Sequence, residues 1–108
     1  MNSFVPNSAL FKVVTLYADN VSISSGATKT TNISLAGVSN YTPIGIVGHW
    51  ASIEDVGDGD GTGSSYINFY RVSTVVDNNQ TYARLIVRNL GSSSAKVRLN
   101  VNVLFVHT

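Results

Sequence analysis

Hydrophobic and polar positions alternate with a period of two along most of the chain, and no segment sustains a helical period. The cleanest run is Ala95 to Val106, where Val97, Leu99, Val101, Val103 and Phe105 alternate with Lys96, Arg98, Asn100 and Asn102. Side chains alternate across a strand, so this pattern predicts one apolar face and one polar face. The alternation breaks at the end of the run, because Leu104 and Val106 are apolar too. Thr81 to Leu90 reads the same way, with Ala83, Leu85 and Val87 inward and Arg84 and Arg88 outward. Between these two runs, Gly91 to Ser94 is turn chemistry, and Asp77-Asn78-Asn79-Gln80 predicts a hairpin back to a strand over Tyr66 to Val76.

Earlier in the chain, Leu10 to Tyr17 is apolar on both faces, Asp19-Asn20 turns or kinks it, and Val21 and Ile23 continue the alternation. Ser24-Ser25-Gly26 is a turn. Thr28 to Leu35 is rich in β-branched residues, with Ile33 and Leu35 facing one way. Tyr41 to about Ile53 predicts a central strand that Pro43 opens. There Ile44, Ile46 and Trp50 share one parity, and Gly45, Val47 and His49 the other. Glycine inside a strand signals a bulge or a close neighbour. The expectation is an all-β antiparallel β-sandwich, jelly-roll-like, of about seven strands. Residues 1–8 read as a linker and 9–108 as one domain. If neighbouring strands alternate in direction, the turn at Ser25 to Lys29, the loop Glu54 to Ser65 and the turn Gly91 to Ser94 share one end.

Composition narrows the chemistry. The chain has 108 residues, ample for one core. It has no cysteine, which removes disulfides and thiolate metal sites. A net charge of +1 with no basic stretch leaves nucleic acid without an electrostatic footprint, and no apolar run is long enough for a membrane helix. The first residues lack the layout of a signal peptide. Charged residues make up 12%, and Ser, Thr, Asn and Gly take their place, as is common in extracellular and virion β-proteins.

Glu54 to Ser65 holds four of the nine glycines and four of the six acids, so it predicts a surface loop. Asp58-Gly-Asp60-Gly-Thr62-Gly63 matches the first half of a calcium loop, but Phe69 stands where the closing bidentate Glu belongs. Two readings stand: weak calcium binding through Asp55, Asp58 and Asp60, or a solvated glycine-rich tip. Trp50, Tyr66 and Tyr70 either form an aromatic platform near this loop or, for Trp50, pack in the core beside Ile44 and Ile46. The candidate ligand-binding residues are Trp50, Glu54, Asp55, Asp58, Asp60, Thr62, Tyr66, Asn78 and Asn79. His49 and His107 lack spaced partners, and no nucleophile elbow occurs, so no catalytic set is assigned. Arg84 and Arg88 lie on a solvated face or on a face between subunits. Leu104 and Val106, apolar on an otherwise polar face, add interface candidates.

Thr28 to Ser34 followed by Tyr41-Thr42-Pro43-Ile44-Gly45-Ile46-Val47-Gly48 resembles the C-terminal receptor-binding domains of bacteriophage and prophage tail fibres and tail-tip proteins. The resemblance runs from Val21 to Val106. It implies a β-sandwich head, a homotrimer, and contact with a bacterial surface polymer such as a saccharide, on a virion or in the extracellular space. It maps no catalytic residue, and no cofactor is expected beyond the weak calcium reading of the acidic loop. The acidic loop departs from the pattern. Two other readings remain at this level: a structural trimerisation tip that binds nothing else, and a carbohydrate-binding module of a secreted protein.

Overall fold

The computed structural model describes residues 10–36, 38–56 and 67–108, with Asp55 and Val56 described by their backbone alone. Among these residues the fold is all-β. Its strands are β1 (Phe11–Ile23), β2 (Thr28–Ser34), β3 (Tyr41–Val56), β4 (Ile67–Asp77), β5 (Gln80–Asn89) and β6 (Ala95–His107). They form two antiparallel sheets of three, ordered β1-β6-β3 and β2-β5-β4. The chain passes from one sheet to the other at every connection except the β4–β5 hairpin.

The described strands number six because Asp19-Asn20 does not reverse the chain. The register of β1 against β6 slips between Ala18 and Val21, and Asn20 takes a left-handed φ of 56°. Asparagine tolerates that conformation, so the segment is a bulge inside one strand. The kink leaves the start of β1 at the end opposite the turns at 24–27 and 90–94.

Tyr41 to Ile53 is not central. β3 is an edge of its sheet, and β6 lies between β1 and β3. Pro43, with no N–H to donate, suits an edge. Three register slips, at Ile44, Val47 and Glu54, bulge the strand further. Such bulges twist an edge and discourage stray pairing. They also change which residues share a face. Ile46 aligns with the inward Val103, whereas Trp50 aligns with the outward Asn100. The expected grouping of Trp50 with Ile44 and Ile46 in the core therefore fails: the extra residue at Val47 turns Trp50 outward.

The core is shared by both sheets. Val21, Ile23, Ile33, Leu35, Ala83, Leu85 and Val87 pack with Val97, Leu99, Val101, Val103 and Phe105 as one buried cluster. The inward positions of β5 and β6 are those the alternation predicts. Burying large aliphatic side chains contributes about 1.5–3 kcal/mol each before the entropy of ordering is offset.

Two tight turns are held by backbone chemistry. Asn78 and Asn79 both have positive φ, 49° and 62°, between the paired Asp77 and Gln80, which is the two-residue hairpin that matches strand twist. Asn89 is 1% exposed, and its side chain closes the opposite end. Its Nδ2 donates to the carbonyls of Ile23 and Ser93 at 3.0 and 2.9 Å, and its Oδ1 accepts the Gly91 N–H at 2.8 Å.

Candidate functional site

The outer face of the β1-β6-β3 sheet carries the most unusual surface among the described residues. Register defines it in rows. Phe11, Val106 and Thr42 form the first row, at the end away from the 24–27 turn. Val13, Leu104 and Gly45 form the second, with bulged Ile44 beside Gly45. Thr15, Asn102 and Gly48 form the third, with bulged Val47, and Tyr17, Asn100 and Trp50 the fourth. Next come Arg98 and Ser52, then Ser22, Lys96 and the backbone of Asp55.

Chemistry grades along these rows. The first two are apolar and open: Phe11, Val13 and Ile44 are each about half exposed, and Leu104 and Val106 are partly so. Burying such residues is favourable and leaving them in water is not, so a contiguous group on a sheet face is informative where a scattered one is not. In the middle rows amides replace hydrocarbons. Thr15 Oγ1 donates to Asn102 Oδ1 at 2.7 Å, and Asn100 Nδ2 lies 3.2 Å from the Trp50 carbonyl, Ser52 Oγ and the Arg98 carbonyl.

The last rows are charged. Arg98 donates through Nε and Nη2 to the two carboxylate oxygens of Asp19 at 2.9 and 3.1 Å, and its guanidinium sits 4.4 Å from the centre of the Tyr17 ring. The hydrogen bonds and charge of Arg98 hold the Asp19 carboxyl below its ordinary value of 3.8, while Asp19 raises Arg98. Glu54 Oε1 accepts the Asn20 N–H at 2.9 Å, so a candidate ligand residue serves to brace the β1 bulge.

The other sequence candidates are dispersed. Asp58, Asp60, Thr62 and Tyr66 lie outside the described residues, as does the side chain of Asp55. Among the described residues no group of three His, Asp or Glu is placed to hold a metal ion, and no helix is long and apolar enough to cross a membrane. Asn78 and Asn79 are accounted for by their left-handed backbone. Tyr70 is on the outer face of the other sheet, where its hydroxyl lies 3.3 Å from Arg88 Nη1, so it cannot share a platform with Trp50. Arg84 and Arg88 also lie on that face, opposite Leu104 and Val106. The four interface candidates are therefore two pairs on two sides of the molecule. His49 pairs in register with the inward Val101 but is exposed at the open edge beside β4, its ring 4.6 Å from that of Phe69.

No protein-family model, curated protein or solved structure matches this chain. The site stands on its own geometry. Sequence reading missed Thr15, Tyr17, Asn100 and Asn102 as site residues. Asn100 and Asn102 occupy plain outward positions of an alternating strand, and only pairing brings Tyr17 and Trp50 into one row. Asn89 left a legible trace, an amide at an inward parity after Ala83, Leu85 and Val87.

Proposed function

We propose that this domain is a non-catalytic tip of a fibre-type appendage, as in a phage tail fibre. In this reading copies associate as a homotrimer through the outer face of the β1-β6-β3 sheet, and the assembly contacts a bacterial surface saccharide. The observation that carries it is the open apolar group Phe11, Val13, Ile44, Leu104 and Val106 on a single sheet face. Strand spacing puts the four rows from Phe11 to Trp50, of which the first two are apolar, at roughly 300 Å², the scale of the largest patch on a monomer, which is often functional. A stable pair uses about 800 Å² per partner. The apolar rows are then the dry centre, and the amides and charges around them supply a polar rim.

The strand order supports a jelly-roll-like sandwich. Each sheet places a strand from the C-terminal half, β6 or β5, between two from earlier in the chain, and every connection but the β4–β5 hairpin changes sheets. Such alternation between sheets is what a jelly-roll winding would produce.

Light scattering on the isolated protein tests the reading. A mass three times that of one chain is expected, falling to a single chain in Val13→Lys, whose side chain is 55% exposed and whose replacement leaves the core untouched. A wild-type protein that stays monomeric at high concentration overturns the assembly.

A further inference from the structure

We propose that the trough between Tyr17 and Trp50 on the outer face of the β1-β6-β3 sheet binds a neutral sugar ring. The inference deepens the reading of the domain as a recognition tip and rests on it, because it assigns the saccharide to named atoms.

The trough has walls and a floor. Tyr17 is 53% exposed and Trp50 42%, while Asn100 between them is 4% exposed. The two aromatics stand two strands apart, about 10 Å between backbones. A ring in van der Waals contact with a wall on each side needs about 7–8 Å. One row further on, Asn102 extends the floor, and Gly48 beside it has no side chain. A Cβ built there lies 3.5 Å from Asn102 Nδ2, so a larger residue would cover that amide.

Each floor amide is tied at one end and open at the other. Asn100 spends its Nδ2 on Trp50, Ser52 and Arg98, and Asn102 spends its Oδ1 on Thr15. Asn100 Oδ1 and Asn102 Nδ2 have no partner among the described residues, and no buried polar side-chain atom there is unsatisfied, so Asn100 Oδ1 reaches solvent. The result is one acceptor and one donor, side by side and fixed in direction. Fixing them beforehand lowers the cost of binding.

That chemistry matches a sugar. A pyranose presents C–H faces to aromatic walls and hydroxyls, each both donor and acceptor, to paired amides. Among the described residues the charge stacked on a wall is Arg98, which covers one face of the Tyr17 ring and is held by Asp19 with a two-point bond, with Glu54 beside the pair. A neutral ligand therefore meets no unpaired charge at the walls among the described residues, and the guanidinium there is already engaged by Asp19.

Trp50 is the sole tryptophan, so its emission reports on the trough directly. The full chain is titrated with neutral hexasaccharides of glucose and of N-acetylglucosamine, and with a uronic-acid hexasaccharide as the charged control. The expected result is a saturable change with a neutral probe. Binding should weaken at least tenfold in Tyr17→Ala and in Gly48→Val and hold in Arg84→Ala, with unchanged far-ultraviolet dichroism throughout. No response to either neutral probe, a preference for the acidic one, or equal loss in Arg84→Ala overturns the proposal. Light scattering and acrylamide quenching on the same samples separate it from the assembly reading. A monomer that binds upholds the trough and sinks the trimer. A trimer whose Trp50 is shielded and silent to every probe sinks the trough and leaves the trimer standing.

Discussion

The two outer faces of this molecule obey the same strand alternation and reach opposite results. On the β2-β5-β4 side Arg84, Arg88 and Tyr82 find partners close by. Arg84 Nε donates to Asn32 Oδ1 at 3.0 Å, Arg88 donates to the Gly26 carbonyl and toward Tyr70, and the Tyr82 hydroxyl lies 2.7 Å from Gln80 Oε1. On the β1-β6-β3 side the first two rows are hydrocarbon with no cover, and the third and fourth hold amides with open ends. A face whose polar groups pair among themselves is suited to water. A face that leaves apolar area and directed amides exposed is suited to something other than water. The difference lies in side-chain chemistry at equivalent backbone positions, which is why it points to function and not to folding.

The comparison can be broken at its root, because both faces rest on one framework. Removing the amide of Asn89 in Asn89→Ala strips two carbonyls and one N–H of their partner in a buried site, and the cost should be about 2–4 kcal/mol. Urea unfolding followed by tyrosine and tryptophan signals should show both faces lost together. It should also show little change in slope, since the same surface is exposed.

A change confined to one face comes next. Leu104→Lys puts a charge in the middle of the apolar rows and should abolish association. Ile86→Lys, at an outward position on the other sheet, should leave the mass in solution unchanged. Equal effects from both would erase the distinction between the faces.

Arg84→Ala asks whether the polar face is truly self-satisfied. Loss of its bond to Asn32 at a half-exposed site should lower stability by about 0.5–1 kcal/mol, read from the urea midpoint. An unchanged oligomeric mass is expected alongside.

The smallest effect belongs to the Asp19–Arg98 pair. The folded-state pKa of Asp19 lies below its unfolded value, so the pair's contribution is present above about pH 4 and is lost as pH falls through the lowered value. Thermal melts of wild type and Asp19→Asn should differ slightly near neutrality and converge in acid. Divergence toward acid would reverse the sign and refute the pairing.

Much of the framework was legible in the residues themselves. The inward sets of β5 and β6 follow from a period of two, and Asn78-Asn79 announces its turn because few residues accept two successive left-handed conformations. The bulges in β3 were not legible. Glycine hints at a bulge without saying where the extra residue falls, and each one shifts every later side chain to the other face. That single uncertainty left Trp50 open between the core and the surface, and the fold puts it on the surface.

The chain by itself determined a cysteine-free β-domain with an alternating core, since local periodicity and turn chemistry depend only on neighbours in sequence. Tertiary structure alone decided that β6 is central and β3 an edge. It alone set Tyr17, Asn100 and Trp50 in one row and separated Arg84 and Arg88 from Leu104 and Val106. The reason is physical. A face is assembled across strands by hydrogen-bond register, and register is a relation between distant segments that no one of them carries.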